Sequence, residues 1–284
     1  MRCLGKNIEI TVNNLTVSYN DVGPDDAPVI IFIHGFPFNK SMWRQQVEAL
    51  KGSYRTIACD IRGHGNTESG NEKFTIDLFA DDLVNLMDEL NISKAILCGL
   101  SMGGYIALNA VEKYPERFDG LILSSTQCTA DTPEGKEKRM QTIQSIKETG
   151  VEKYAEESIK HFFLPASFNV KQKAVAAVKQ MIINTSQKTL CNTLLALANR
   201  KETCTNLSEI DIPVLIMVGK EDKITPPDKA LLMHKKIDSS QMYILDHTGH
   251  LANIENQYEF NYQLRAFVEF VSKKSFCLSD TDGN

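Results

Sequence analysis

The amino-acid sequence predicts an α/β fold, in which helices cover a mostly parallel sheet. Short runs rich in Val, Ile and Leu, typical of strands buried on both faces, recur along the 284 residues. Segments with helical periodicity separate these runs, as in folds built from parallel strands and right-handed crossovers. The shares of hydrophobic (42%) and charged (24%) residues are ordinary for a globular protein and exclude a disordered or collagen-like chain.

Eight segments have the length and composition of strands. The first two alternate apolar and polar residues on either side of Asn13-Asn14, which indicates an opening hairpin. The other six are short and largely continuous apolar runs. The predicted strands are residues 8–12, 15–19, 29–33, 54–59, 94–98, 119–124, 213–218 and 241–245.

Helical periodicity is clearest near the middle and at the end of the chain. Apolar residues fall on one stripe in residues 76–90 and again in residues 260–271. A further helical run extends from Tyr105 to Tyr114. Each of these segments neighbours a predicted strand, which supports the alternation of an α/β fold.

One stretch departs from this alternation, because residues 127–206 contain no convincing strand. Its helical segments begin at Pro133, Val151, Val170 and Gln187. We therefore predict an α/β core formed by residues 1–126 and 207–284. Residues 127–206 are then a helical cap, or lid, inserted into that core.

The predicted cap differs in charge from the rest of the chain. It contains 12 Lys and Arg against 8 Asp and Glu, a net +4, whereas the whole chain carries a net charge of −5. The simpler interpretation is a solvated face on each helix, and the alternative is that a basic cap favours substrates with a carboxylate. The acidity of the whole chain argues against general binding of nucleic acid.

The sequence predicts neither a membrane span nor a secretory signal. The strongest apolar run, residues 29–33, is far shorter than the roughly 20 residues of a transmembrane helix, and the N-terminus lacks an apolar stretch with a cleavage site. The seven cysteines are odd in number and form no C-x-x-C pair, so we expect reduced thiols. Together these features predict a cytoplasmic protein. The polar tail, residues 273–284, is expected to be frayed.

A candidate nucleophile lies in Gly99-Leu100-Ser101-Met102-Gly103, which fits the pattern G-x-S-x-G between a predicted strand and a predicted helix. A serine on so sharp a turn needs a strained backbone, and the glycines remove collisions that side chains would make there. The turn projects the Ser101 hydroxyl above the carboxyl edge of the sheet, where open α/β sheets bind ligands.

A serine nucleophile needs a base, and the base needs an orienting acid. His250, after the last predicted strand, is the candidate base. Its rival His247 is closer to the strand and more typical of a structural loop residue. Asp222 is the candidate acid, with the neighbouring Glu221 as the alternative. The order Ser, acid, His is the one expected on this kind of sheet.

Two backbone amides are candidates for an oxyanion hole. Gly35, after the strand at residues 29–33, permits an unusual turn that points the amide of Phe36 at the developing charge. The amide of Met102, directly after the serine, is the second donor. Phe38 is a candidate wall of the substrate pocket, although packing is the commoner role of such an aromatic ring.

These segments together resemble an α/β-hydrolase-fold serine hydrolase, and the chain is most similar to small carboxylesterases and 3-oxoadipate enol-lactonases. The matching segments, in family order, are His34-Gly35-Phe36-Pro37, Asp60-Ile61-Arg62-Gly63-His64-Gly65, Gly99-Leu100-Ser101-Met102-Gly103-Gly104, Gly219-Lys220-Glu221-Asp222 and Gly249-His250. The resemblance implies an eight-stranded sheet with a lid after the sixth strand. It also implies a triad and an oxyanion hole, formed by Ser101, Asp222 and His250 and by Phe36 and Met102, respectively.

The sequence departs from the family at one point. Relatives often have Glu-x-Pro shortly after the histidine, whereas here Glu255 is followed by Asn256-Gln257. We expect this difference to affect a helix start and not the chemistry. Asp60, Arg62 and His64 are interpreted as a structural loop, and no metal site is predicted.

The predicted function is hydrolysis of carboxylic esters or lactones of small molecules through an acyl-enzyme, without a cofactor. A serine at position 101 argues against dehalogenases and epoxide hydrolases, whose chemistry suits an aspartate there. Two alternatives stay open. The same triad can serve an acyltransferase, a perhydrolase or a C–C hydrolase, and the fold can also serve a ligand-binding protein with little turnover.

Overall fold

A computed structural model describes the backbone of residues 5–279 and the side chains of residues 5–274. Its strands are β1 (Gly5–Val12), β2 (Leu15–Val22), β3 (Val29–Ile33), β4 (Arg55–Cys59), β5 (Ala95–Leu100), β6 (Phe118–Ser124), β7 (Val214–Gly219) and β8 (Ser240–Leu245). These described strands form one sheet in the order β1-β2-β4-β3-β5-β6-β7-β8. β1 and β2, and β2 and β4, pair antiparallel, and all other neighbours are parallel. The predicted α/β fold is confirmed.

All eight predicted strands are present, but the second is longer than predicted. The alternation ends at residue 19, whereas β2 continues to Val22 because its last four residues pair with β4. Asp21, in this extension, is fully buried and accepts two hydrogen bonds from Arg55 of β4, at 3.2 and 2.7 Å. The alternation pattern places Asp21 outside the strand, but Arg55 of the neighbouring strand holds its charge inside the sheet.

Helices fill most of the remaining chain. They are α1 (Arg44–Leu50), α2 (Ile76–Glu89), α3 (Met102–Lys113), α4 (Pro133–Thr149), α5 (Val151–Phe162), α6 (Ser167–Val170), α7 (Gln172–Ile183), α8 (Gln187–Ala198), α9 (Pro227–His234), α10 (Ala252–Glu255) and α11 (Gln257–Ser279). Short 3₁₀ turns cover residues 40–43, 115–117 and 207–209. None of the helices within the described residues is both long and apolar enough to cross a membrane.

Two helix predictions need correction. The segment expected to begin at Val170 begins instead at Gln172, because Val170 ends the short helix α6. The tail expected to be frayed continues helix α11 as far as Ser279, and residues 280–284 lie outside the described residues. Polar composition alone does not end a helix whose earlier turns pack against the sheet, as Phe267 and Val271 do.

The sheet carries an apolar cluster on each face. One cluster includes buried residues of α2 and α3, such as Leu83 and Ile106, and the other includes buried residues of α1 and α11, such as Leu50 and Phe260. This arrangement leaves the carboxyl ends of the parallel strands to the loops that follow them, where open α/β sheets bind ligands.

Residues 127–206, called the cap segment from here on, lie between β6 and β7. All of them are described, and they contain the five helices α4 to α8 and no strand. Within the segment α4 packs on α8 and α5 packs on α7. The helical content agrees with the sequence, and the division of the chain into a core and a separate cap domain stays a prediction.

The ends of the cap segment are joined covalently. Cys128 and Cys204 form a disulfide across 76 residues of sequence, with their Cα atoms 4.9 Å apart. The expectation of reduced thiols is therefore wrong for these two residues, since the fold brings together cysteines that sequence spacing does not relate. Cys59, Cys98 and Cys191 are free and buried. Because cysteine usage no longer supports a reducing compartment, a cytoplasmic location stays a prediction.

We expect the disulfide to stabilise the folded chain, because it closes a long loop and so restricts the unfolded chain. Replacing both Cys128 and Cys204 by Ser should lower the free energy of unfolding by about 2–4 kcal/mol. Urea unfolding with and without dithiothreitol measures the difference. Reductant should destabilise the wild type and leave the double variant unchanged. Equal sensitivity of the two proteins would contradict the assignment.

Candidate active site

Ser101 lies on the turn between β5 and α3. Its backbone has φ 54° and ψ −113°. Residues other than glycine rarely adopt this conformation, which costs of order 1–3 kcal/mol. The Ser101 N–H donates to the carbonyl of Ser124 (2.9 Å), and its own carbonyl accepts from the Thr126 hydroxyl (2.8 Å). Bonds to the neighbouring strand end therefore hold the strained residue in place.

Close packing explains the glycines on both sides of Ser101. A Cβ atom on Gly99 would lie 2.2 Å from the carbonyl oxygen of Gly103, and one on Gly103 would lie 2.3 Å from that of Ile33. Both distances are far shorter than any van der Waals contact and involve backbone, which cannot give way. The start of α3 thus lies directly against β3 and β5, as the sequence predicts from the pattern G-x-S-x-G.

The loop after β3 brings the amide of Phe36 to the same place. His34 fixes this loop, since its Nε2 accepts from the Ile61 N–H (3.0 Å) and its Nδ1 contacts the carbonyl of Gly35 (2.8 Å). Among the described residues, the backbone N–H groups of Phe36 and Met102 have no hydrogen-bond acceptor. Two unpaired donors in a buried place are a ready site for a negatively charged oxygen.

His250 and Asp222 form a buried pair. Nδ1 of His250 lies 2.8 Å from Oδ2 of Asp222, and both side chains are almost fully inaccessible. The other carboxylate oxygen accepts from the amides of Ile224 (2.8 Å) and Thr225 (3.0 Å). Burial raises the pKa of Asp222, but the charge of His250 and these hydrogen bonds outweigh it, so that the pKa lies below its ordinary value. Asp222 therefore stays ionised.

The two rival residues have other surroundings. His247 is exposed, with a positive φ of 56°, on the solvent side of the loop. Glu221 is also exposed and accepts a hydrogen bond from the Thr248 N–H at 3.1 Å. Neither lines the cavity that contains Ser101 and His250. Among the candidates, Ser101 and His250 thus line one cavity, and Asp222 contacts His250.

Ser101, His250, Phe36 and Met102 line a common cavity of about 450 Å³ beneath the cap segment. Phe38 does not line it: the ring is fully buried and packs edge-to-face on Phe162, at 4.9 Å between centroids. A direct contact of Phe38 with substrate is therefore not supported by its position.

Charged residues of the cap segment form one wall of this cavity. Asp131 accepts hydrogen bonds from Arg139 and from Arg200, the latter at 2.6 Å, and the Arg200 guanidinium lies 4.3 Å above the ring of Tyr105. Burial raises the pKa of Asp131, but the guanidinium groups of Arg139 and Arg200 lower it by more. The pKa therefore lies below its ordinary value. Lys138 lines the cavity as well, so this wall has an excess of positive charge. Asp131 and Arg200 lie 69 residues apart, so hydrophobic periodicity gives no signal of this pair.

The loop after β4 is held by structural contacts. Asp60 accepts from the ammonium (2.6 Å) and the backbone N–H (2.7 Å) of Lys40, and Arg62 is paired with Asp82 and Glu72. His64 is fully buried. No group of three or more His, Cys, Asp or Glu side chains within the described residues is arranged to hold a metal ion.

Comparison with known proteins identifies the family. The family model described as the alpha/beta hydrolase fold matches residues 28–257. The chain therefore belongs to this family, which confirms the resemblance inferred from the motifs and the prediction of a hydrolase.

Two kinds of relative support this assignment. The chain is similar to 3-oxoadipate enol-lactonase 2 of Acinetobacter baylyi, with 27% identity over 260 residues that cover 92% of this chain and 96% of the relative. Among solved structures it is similar to a thermophilic esterase from Thermogutta terrifontis with malate bound, with 30% identity, a TM-score of 0.88 and coverage of 94% and 99%. The enol-lactonase of Burkholderia xenovorans LB400 shares the fold at 24% identity and a TM-score of 0.87, over 92% and 100% of the two chains.

The buried histidines near the site predict acid sensitivity of the fold. Burial lowers the pKa of His34 to about 4 and that of His64 to about 3, whereas an unfolded histidine titrates near its ordinary value of 6.5. Between these values the unfolded chain binds more protons than the folded one. The free energy of unfolding should therefore fall as the pH drops from 6.5 towards 4, by up to about 1.4 kcal/mol per unit for each histidine.

Urea unfolding at pH 7, 6, 5 and 4 measures this dependence. His64→Asn, whose amide can still donate to the carbonyl of Arg62 that contacts Nδ1, should show a weaker dependence than the wild type. His161→Asn, at an exposed position of α5, is the control and should not change it. Identical curves for His64→Asn and the wild type would contradict the assignment.

Proposed function

We propose that the protein hydrolyses carboxylic esters or lactones of small molecules through an acyl-enzyme on Ser101. One observation carries the proposal. Ser101, His250, Phe36 and Met102 line the same cavity, the backbone N–H groups of Phe36 and Met102 are unpaired among the described residues, and the His250 imidazole contacts Asp222. These are the nucleophile, base, acid and oxyanion donors of acyl transfer.

The reaction follows from these positions. His250 Nε2 removes the proton of Ser101 as Oγ attacks the carbonyl carbon, and the amides of Phe36 and Met102 bind the resulting oxyanion. The alcohol leaves with the proton from His250. Water, activated by the same imidazole, then releases the acid and restores Ser101. In a lactone, the leaving hydroxyl stays attached to the acyl group.

Asp222 has two functions in this scheme. Its hydrogen bond to Nδ1 keeps that nitrogen protonated and leaves Nε2 as the base, and its negative charge stabilises the imidazolium that forms. Because its pKa lies below the ordinary value, Asp222 keeps its charge throughout the neutral range. The names of the relatives, an enol-lactonase and an esterase, agree with the proposed substrates.

Replacement of Ser101 by Ala should abolish hydrolysis of short p-nitrophenyl esters, from acetate to octanoate. By analogy with measured triad knockouts we expect kcat to fall about a million-fold, and about ten-thousand-fold for Asp222→Asn. Ser53→Ala, at an exposed position remote from the cavity, is the matched control and should keep wild-type activity. Full activity of Ser101→Ala would exclude the proposed nucleophile.

The same experiment separates the alternatives. Labelling of Ser101 by a fluorophosphonate without ester turnover would support a transferase, perhydrolase or C–C hydrolase with the same triad. Slow, single-turnover acylation would support a ligand-binding protein. Absence of both labelling and turnover would contradict an assembled triad.

The positive wall of the cavity favours an acyl group with a carboxylate at its far end. Lys138 and Arg139 line this wall and together exceed the charge of Asp131, and Nη1 of Arg139 has no acceptor among the described residues. A substrate carboxylate at this guanidinium would form a charge-assisted hydrogen bond.

Activated half-esters of short dicarboxylic acids test the preference. Their p-nitrophenyl esters, from succinate to adipate, are compared with neutral esters in which an isopropyl group replaces the carboxylate. Arg139→Gln should lower kcat/KM for the half-esters about tenfold, the loss of one charged hydrogen bond, and leave the neutral esters unchanged. Arg139→Lys keeps the positive charge and should retain part of the preference in kcat/KM for the half-esters over the neutral esters. Lys147→Gln, which removes a positive charge from an exposed position of the same helix, is the control.

A further inference from the structure

Glu255, the last residue of α10, is a buried acidic residue outside the proposed triad. It is 6% exposed, and its carboxylate accepts three hydrogen bonds. Oε2 accepts from the N–H of Gly249 (2.6 Å), and Oε1 accepts from the N–H of Leu164 (2.8 Å) and the hydroxyl of Ser167 (2.5 Å). The sequence predicts that the missing proline after Glu255 affects a helix start, and it assigns Glu255 itself no role.

These three bonds reach two separate parts of the chain. Gly249 directly precedes His250, whereas Leu164 and Ser167 belong to the cap segment at the connection from α5 to α6. The two parts also touch directly, because the N–H of Leu251 donates to the carbonyl of Phe162 at 3.3 Å. The ring of Phe162 lies 6.0 Å from that of His250. One carboxylate therefore bridges the histidine loop and the cap segment.

The geometry gives this bridge little freedom. A Cβ atom on Gly249 would lie 3.2 Å from Oε2 of Glu255 and 3.5 Å from the N–H nitrogen of Leu164, so the three groups are packed together. Hydrogen bonds to a carboxylate are about twice as strong as those between neutral groups, and a buried carboxylate that loses its donors is strongly destabilised. Movement of either part away from Glu255 is therefore unfavourable.

The histidine loop is held by a different carboxylate at each of three consecutive residues. Glu221 binds the N–H of Thr248, Glu255 binds that of Gly249, and Asp222 contacts the imidazole of His250. Glu221 is exposed, and both it and Asp222 belong to the loop after β7. Glu255 is the one of the three that also binds the cap segment.

We infer that Glu255 is a positioning residue, which fixes the backbone before His250 and ties the position of the imidazole to that of the cap segment. The inference rests on the proposed function, because it matters to catalysis only if His250 is the base for Ser101. Glu255 does not touch the reacting atoms. Its effect passes through the Gly249 amide.

The variant Glu255→Gln tests the inference. It keeps the shape of the side chain but replaces one acceptor oxygen by an NH₂ donor. Whichever way the amide is turned, the N–H of Gly249 or that of Leu164 loses its acceptor. Glu259→Gln, which removes a carboxylate at an exposed position of α11, is the matched control. Four quantities are measured: the rate constant for labelling of Ser101 by a fluorophosphonate, KM for p-nitrophenyl butyrate, the Tm, and amide hydrogen exchange of residues 163–168 and 247–251.

We expect labelling by Glu255→Gln to slow about tenfold to a hundredfold, the range that a displacement near 1 Å produces, while KM changes less than twofold. Exchange should become faster in both segments together, and the control should match the wild type. An unchanged labelling rate with a lower Tm or a higher KM would overturn the inference, because a purely structural residue gives that result. Faster exchange in residues 163–168 alone would overturn it as well.

Two further outcomes are separable. If Glu255→Gln does not fold, Ser167→Ala removes one bond to the same carboxylate and should change labelling and exchange in the same direction by a smaller factor; no change in either would overturn the inference. If the wild type itself does not label, the proposed function fails. Hydrogen exchange of Glu255→Gln and the wild type then tests only whether Glu255 bridges the histidine loop and the cap segment. Unchanged exchange in residues 247–251 would exclude this bridge.

Discussion

The strained turn at Ser101 is the constraint on which the site depends. A residue with φ 54° is held there because its own backbone bonds to β6 and because α3 begins in contact with β3. The same contact places the first amide of α3, that of Met102, beside the serine hydroxyl. One local distortion therefore places both Ser101 and the unpaired amide of Met102 at the cavity, and any side chain at Gly99 or Gly103 would displace both.

Negative charge organises the other half of the site. Asp222 holds the His250 imidazole, and Glu221 and Glu255 hold the two amides before it. Since backbone N–H groups in a loop have no strand or helix partner, these carboxylates replace the hydrogen bonds that regular structure would provide. Contacts with three carboxylates thus hold this loop, although it has no helix or strand of its own.

Much of this arrangement could be predicted from sequence because it depends on local patterns. The strands follow from continuous apolar runs, and the turn at Ser101 follows from glycines at fixed spacing. The contacts of Asp131 with Arg200, of Cys128 with Cys204 and of Glu255 with Leu164 could not be predicted. The two residues of each pair lie 69, 76 and 91 positions apart, and their proximity depends on how the cap segment packs. Periodicity predicts which face of a helix is buried and does not specify its neighbour.

The cap segment is tied unevenly, and this bears on the cavity beneath it. The disulfide and the Arg200–Asp131 pair fix its base, and Glu255 fixes the connection after α5. Helix α4, which contributes Arg139 to the cavity wall, buries only Ile143 and Ile146 among its 17 residues. Displacement of α4 therefore exposes less apolar surface than displacement of α8, which buries eight residues. Of these two helices, α4, which carries Lys138 and Arg139 at the cavity, therefore costs less free energy to displace than α8.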